Sequence, residues 1–379
     1  MVVLGEKVRC IDLETKKEIP KRTIEIHWSE KSAEKGSYAH FMMKEIMEQK
    51  TTIAETINQN ETVIKKVADE IKNAFGTYLI GCGTAGKVCL TASYLFSRVA
   101  KKHVNAVFGS EFGSHKHFLT KDSLLIAVSQ SGETADTLEA MEIAKEKGCK
   151  LITIVNVESS TMARMADIVI PIKVGPEKAV ASTKATTAQL TVLTQIAYAL
   201  AGKLNEGKQL LIAAASQIND MLNPRYEDHI KELAEKIKGV ESMYIIGKDV
   251  NYPMALEAAI KLQEVSYIHA EGFAGGELKH GPIALITEGT PVIAIVANDE
   301  TKKDILSNAM EVKARGGYII GVSPETSEIF DYWIKVPDAG AASPIVNIIP
   351  IQILAYHLSV IRQNNPDMPR NLAKSVTVK

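Results

Sequence analysis

Short apolar runs rich in β-branched residues alternate with helix-length amphipathic segments along most of this 379-residue chain, which leaves few folds open. Tyr78-Leu79-Ile80 and residues 104–108, 124–128, 151–155 and 168–174 read as strands, with helical periods between most of them. Parallel neighbours need a crossover long enough to hold a helix, so this repetition specifies a parallel sheet. A polar-apolar helical stretch follows over residues 208–238, with a break expected at Asn223-Pro224. The plan then restarts, with strands expected over residues 243–246, 292–296 and 318–322. Thr77-Tyr78-Leu79-Ile80-Gly81 stands in the first block where Met243-Tyr244-Ile245-Ile246-Gly247 stands in the second. The expected architecture is α/β, with two doubly wound parallel-sheet subdomains of similar topology and ligands beyond the carboxyl ends of the strands.

The flanks are different. Residues 2–28 read as strand–turn–strand, a hairpin too small to be stable alone and so expected to be the edge of something larger. A polar connector follows, then one helix over residues 38–58 with Phe41, Met42, Ile46, Met47, Ile53 and Ile57 as its apolar positions. The most apolar stretches, 185–200 and 344–361, carry Thr, Gln, Asn347, Pro350 and His357, and read as buried helices rather than membrane spans. A net charge of −1 predicts no nucleic-acid partner. Four cysteines without metal-like or disulfide-like spacing fit a reducing cytoplasm. Gly81-Cys82-Gly83-Thr84-Ala85-Gly86 fits a dinucleotide pattern only weakly, and no cofactor or metal is expected.

Chemistry concentrates where the run 124–128 ends. Ser129-Gln130-Ser131-Gly132-Glu133-Thr134 lies between that strand and a helical pattern over 135–147. Hydroxyls and backbone N–H groups at a helix N-terminus suit a phosphate held by neutral donors. The same residues also fit a Ser-capped helix with no ligand. On the helix expected over 253–265, Glu257, Lys261 and Glu264 share one face, which reads either as a solvated ion-pair face or, with so few other polar positions, as the lining of a cavity.

Cys82-Gly83-Thr84, the 129–137 run, Val180-Ala181-Ser182-Thr183-Lys184, Tyr267-Ile268-His269-Ala270-Glu271, Gly276-Glu277-Leu278-Lys279-His280-Gly281-Pro282 and Pro369-Arg370-Asn371-Leu372-Ala373-Lys374-Ser375-Val376 together resemble one family. It is the glucosamine-6-phosphate synthases (glutamine–fructose-6-phosphate aminotransferases, isomerising), in their sugar isomerase portion. The resemblance implies phosphate binding by Ser129, Gln130, Ser131 and Thr134, with Thr84 closing the pocket and Val180, Ala181 and Ser182 on the sugar hydroxyls. Ala85 departs from the family pattern, which has a hydroxyl there. The resemblance further implies that Glu264 shuttles a proton between C1 and C2, assisted by Lys261, and that desolvation of Glu264 makes it a better base. By the same resemblance His280 is expected to open the ring from the neighbouring subunit of a homodimer. The resemblance also implies that Lys374 forms a Schiff base, for which burial or a nearby cation must keep its amine neutral. His269 is expected to pack or to form structural hydrogen bonds. Ser182 and Thr183 can also cap the helix that follows.

The implied division is a remnant of a glutaminase domain over 1–33, subdomains over 34–221 and 222–365, and a tail over 366–379 ordered across the site. The chain then reads as a piece of a longer protein whose glutaminase domain is missing. Two other readings compete with this one: a stand-alone glucosamine-6-phosphate deaminase of the same fold, and a non-catalytic sugar-phosphate sensing module.

Overall fold

The computed structural model describes residues 9–20 and 34–378. Of the hairpin expected over 2–28 the described part is its turn. Ile11 and Glu18 pair as an antiparallel bridge, and Asp12 Oδ1 accepts the Glu14 and Thr15 N–H groups. The second strand of that hairpin lies outside the described residues.

Among the described residues ten strands form two all-parallel, five-stranded sheets. The first comprises β1 (Gly76–Gly81), β2 (Asn105–Phe108), β3 (Ser123–Ser129), β4 (Lys150–Val155) and β5 (Ile168–Pro171), in the order β2-β1-β3-β4-β5. The second comprises β6 (Ser242–Gly247), β7 (His269–Ala274), β8 (Pro291–Ile295), β9 (Tyr318–Ser323) and β10 (Tyr332–Lys335), in the order β10-β9-β8-β6-β7. Read from the other edge, the second order repeats the first strand for strand. Every residue of β3 is buried, as a central strand covered on both faces requires.

Helices α1 (Phe41–Met47), α2 (Gln49–Ile57) and α3 (Glu61–Asn73) precede the first sheet, and α4 (Gly83–Leu95), α5 (Ala135–Glu146) and α6 (Thr161–Met165) connect its strands. Three more, α7 (Lys184–Leu200), α8 (Leu204–Met221) and α9 (Pro224–Ile237), lead to the second sheet. There α10 (Tyr252–Ser266), α11 (Gly275–Leu278) and α12 (Lys302–Lys313) lie between strands, and α13 (Ser343–Ile361) follows the last. The break at Asn223-Pro224 is where it was expected: the Asn223 side chain accepts the Tyr226 N–H, and Pro224 takes the first helical position, where no N–H is needed. Both apolar stretches are buried helices. α7 is buried without interruption from Lys184 to Tyr198. The window around α13 is long and apolar enough to cross a membrane, yet 89% of it is buried inside the protein.

The sheets share one core. Val88, Cys89 and Ala92 of α4 belong to the same apolar cluster as Ala255, Ala258 and Leu262 of α10. These two helices, each following the first strand of its sheet, pack against one another, and alanines let them approach.

Two expectations need correction, and two strands went unread. The helix expected over 38–58 is two helices meeting at Glu48, whose carboxylate is held by Lys44 (3.0 Å) and Lys184 (2.7 Å). Its first turn begins at Phe41, because the Asp367 carboxylate accepts the Phe41 and Met42 N–H groups (2.9 and 2.8 Å). The strand expected over 168–174 stops at Pro171. Finally, β7 and β10 gave no apolar alternation to read. Both are edge strands, and in β7 Gly272 serves close packing: a Cβ there would fall 2.5 Å from the Ala255 carbonyl oxygen of α10.

Candidate active site

The turn from β3 to α5 sits between the ends of β1 and β3, where the strand order reverses and ligands bind in folds of this kind. Gly132 makes the turn possible. Its φ is +68°, and a Cβ would lie 2.1 Å from Ser160 Oγ. Ser129 Oγ accepts the Gly132 N–H (3.0 Å) and Ser131 Oγ accepts the Glu133 N–H (3.2 Å). Gln130 and Thr134 are half-buried beside them. The Ser-capped helix is not what forms. Thr134 holds the cap position without a side-chain hydrogen bond. Instead the tail closes the helix end: the Ala135 N–H donates to the Val376 carbonyl (3.0 Å), and Ser131 Oγ shares a hydrogen bond with Ser375 Oγ (3.0 Å).

Helix α10 presents the charged face. It is not solvated: Glu257 and Lys261 are fully buried, and Glu264 keeps a quarter of its side chain exposed. Lys261 Nζ donates to Glu264 (2.5 Å) and lies 3.5 Å from Glu257. Burial alone would lower the Lys261 pKa, but Glu264 and Glu257 overcome it and push it up. Burial pushes Glu257 up to about 7, against the pull of Lys261. The deeply desolvated carboxyl is therefore Glu257 rather than the expected Glu264. Thr84, at the start of α4, donates to Glu257 Oε1 (3.0 Å), so a residue of the first half meets a helix of the second. Lys87, one turn further along α4, is lowered by burial. Ala85 is buried against Gly81 and offers the site no hydroxyl.

The third part is the loop before α7 with the tail across it. Lys374 Nζ donates to Glu177 Oε2 (2.7 Å), while Glu177 Oε1 accepts the Thr183 and Ala185 N–H groups (3.0 Å each). Burial would raise this carboxyl, but Lys374 and the two backbone donors hold it below the ordinary value. So of the two expected influences on the amine, burial or a nearby cation, no cation is its hydrogen-bond partner; that partner is a carboxylate. The capping role expected of Ser182 and Thr183 also belongs to Glu177: Thr183 has no side-chain cap bond, and its Oγ1 is buried without a partner. The Val180 N–H donates to the Asp367 carbonyl (3.0 Å), Ala181 is buried, and Ser182 is half-buried. Beneath the loop, Glu45 accepts the Lys178 and Ala179 N–H groups, and burial followed by Glu177 raises its pKa. The tail has several further anchors. Besides Asp367, the Arg370 N–H donates to Tyr267 Oη (2.8 Å), with its guanidinium 4.2 Å from the Tyr267 ring centroid.

A family model for the SIS domain matches residues 70–199 and 236–362, one segment on each sheet. The chain belongs to the SIS domain family. Its relatives narrow the likeness. It is 43% identical to a glutamine–fructose-6-phosphate aminotransferase (isomerizing) of Thermococcus kodakarensis over 97% of this chain, and spans 63% of that relative's length. Among solved structures it resembles the C-terminal domain of glucosamine-fructose-6-phosphate aminotransferase from Francisella tularensis, with a TM-score of 0.81, 32% identity, and coverage of 88% of this chain and all of that one. A glucosamine-6-phosphate deaminase from Thermotoga maritima matches with a TM-score of 0.73 at 25% identity, covering 89% of this chain and 99% of that one.

Within this pair of SIS domains, hydrogen bonds and ion pairs link Ser131 to the tail, the tail to Glu177, and Thr84 to the α10 carboxylates. His280 stands apart. It lies in the turn after α11, is exposed, and makes no side-chain hydrogen bond or ion pair among the described residues. Of the two roles expected for His269, packing is absent, its side chain being 68% exposed, and a hydrogen bond is present, to Glu271 (2.9 Å). Sequence reading missed Glu177, Glu45 and Asp367. The one signal for Glu177 was its place just before the Val180–Lys184 motif.

Proposed function

We propose that this chain is the isomerase part of a glucosamine-6-phosphate synthase. It binds fructose 6-phosphate, opens the ring, isomerises the sugar, and forms glucosamine 6-phosphate when ammonia is supplied. The observation that carries this is the docked amine: Lys374 is held at the sugar loop while its neighbour Ser375 touches the phosphate turn. A module that only bound sugar phosphates would have no use for that lysine.

In this reading Ser129, Gln130, Ser131 and Thr134 take the phosphate at the start of α5, with Thr84, Val180, Ala181 and Ser182 on the sugar. His280 of the partner subunit in a homodimer opens the ring by moving a proton between the ring oxygen and the anomeric hydroxyl. Lys374 condenses with the C2 carbonyl. Glu264, fixed by Lys261, carries the proton between C1 and C2. Residues 1–33 belong to a glutaminase domain that supplies ammonia, 34–221 and 222–365 form the two sugar isomerase subdomains, and 366–379 close the site. The protein works in the cytoplasm, in keeping with four unpaired cysteines.

Product analysis after incubation with fructose 6-phosphate tests this. Glucose 6-phosphate is expected without ammonium, and glucosamine 6-phosphate in addition with it. The likeness to the Thermotoga maritima structure favours a deaminase as second reading, which requires ammonia release from glucosamine 6-phosphate to outrun synthesis. The shared site has its own test: mixing K374A and H280A proteins should restore activity that neither has alone, and no recovery in mixed dimers would put His280 in its own subunit's site.

A further inference from the structure

Glu177 has no part in the reading above, yet it is fully buried at the centre of the site. Its two oxygens face two different segments. One closes the N-terminus of α7 through the Thr183 and Ala185 N–H groups, and the other meets the Lys374 amine at 2.7 Å. The span between Glu177 and Thr183 is the loop carrying Val180, Ala181 and Ser182, so one carboxylate fixes that loop at both ends and the tail nitrogen beside it. Below it Glu45 accepts the Lys178 and Ala179 N–H groups, which prevents the loop from lifting away.

We infer that Glu177 docks the Lys374 amine over the sugar loop before a sugar arrives and accepts the proton that the amine must lose to react. The inference rests on the Schiff-base reading of Lys374. The condensation balances within the pair. The ammonium passes one proton to the Glu177 carboxylate, and the freed lone pair attacks the C2 carbonyl carbon. The resulting oxyanion takes a second proton from the nitrogen. Glu177 then returns its proton to that hydroxyl, which leaves as water, giving a protonated imine and the carboxylate again. A nearby cation could favour a neutral amine but could not receive its proton; a carboxylate in hydrogen-bond contact does.

Two measurements on the full chain separate docking from chemistry. Competitive acetylation of the lysines without sugar reports docking alone. Lys374 should react slowly in the wild type and about 10-fold faster in E177Q, whose amide leaves the ammonium without its counter-charge. Borohydride trapping of fructose 6-phosphate reports the imine, and in E177Q its rate should fall by about 100-fold, the scale of a lost proton acceptor. Binding of glucitol 6-phosphate, an open-chain analogue with no carbonyl, should change by less than about 3-fold, which shows that the fold and phosphate turn are intact. E177D keeps the acid on a shorter reach and should trap at a rate between the two. Equal labelling of Lys374 in wild type and E177Q, or trapping by E177Q at the wild-type rate, overturns the inference. Should E177Q lose the analogue as well, E177D decides: wild-type labelling and trapping there overturn it. Wild-type trapping on a lysine other than Lys374 would instead refute the Schiff-base reading, whatever the labelling shows.

Discussion

The two sheets have the same strand order, yet their corresponding ends carry opposite chemistry. After β3 the turn offers Ser129, Ser131 and Thr134, with no charge but that of Glu133, which is turned to the Thr161 N–H (2.7 Å). After β8, at the matching position, stand Asn298, Asp299, Glu300 and Thr301. Asp299 binds the Thr301 N–H and hydroxyl (2.9 and 2.7 Å) and, with Asp249 and Glu300, surrounds Arg98 at 2.7–3.0 Å. Burial would raise Asp299, but Thr301 and Arg98 hold it low, so it is an anion where the first half presents neutral donors. Arg98 comes from the first half, just after α4. One switch point carries the neutral donors of the proposed phosphate site, and the other is a clasp between the halves. The fold supplies two equivalent crevices, and the side chains decide which of them is a site.

The largest test of that contrast is K374A, which should abolish borohydride trapping of the sugar, whereas D299N should trap at the wild-type rate. Trapping that survives in K374A would move the imine to Lys261 or Lys87. Next, E264Q should lose isomerisation by about 100-fold or more while binding fructose 6-phosphate normally. Undiminished turnover would take Glu264 out of the proton transfer. A finer contrast pairs S131A with D299N in titrations and thermal unfolding. S131A should weaken sugar-phosphate binding by about 1–3 kcal/mol, the value of a hydrogen bond to a charged group. D299N should leave affinity alone and lower stability by about 1 kcal/mol, as for a partly exposed ion pair. Weaker sugar binding in D299N would make the second crevice a ligand site after all.

The smallest effect concerns pH. The folded state keeps a proton on Glu257 up to about 7, while the unfolded carboxyl releases it near 4.5. Its contribution to stability is thus complete below about 4.5 and drains away as pH rises through about 7. Melting temperatures of wild type and E257Q at pH 5 and pH 8 check this: the wild type should lose ground to the variant at the higher pH. A constant difference would mean that Glu257 stays ionised throughout.

Period and punctuation made the architecture legible, because eight strands are central or carry enough β-branched residues to show, and Asn223-Pro224 marks its own break. The place of the serine-rich turn was legible too, since such a stretch between strand and helix has a local meaning. What could not be read were partners distant in sequence. Asp367 looks like any polar residue of a loop, and only the fold brings it to the first turn of α1. Glu177 reads as one more surface acid until α7 and the tail meet over it. The charged face of α10 was ambiguous for the same reason: whether Glu257 and Lys261 face water depends on α4, and the Thr84 hydroxyl that meets Glu257 lies 173 positions away.

The Ala135–Val376 hydrogen bond bears on how the protein is made. A ribosome delivers the first sheet, the Ser129–Thr134 turn and α5 long before it delivers residues 374–376. During that interval the start of α5 lacks the Val376 carbonyl, and Ser131 lacks its Ser375 partner. On the reading proposed for Lys374, the amine reaches the site only after the turn beside it has been made. Order along the chain would then act as a safety catch on the chemistry.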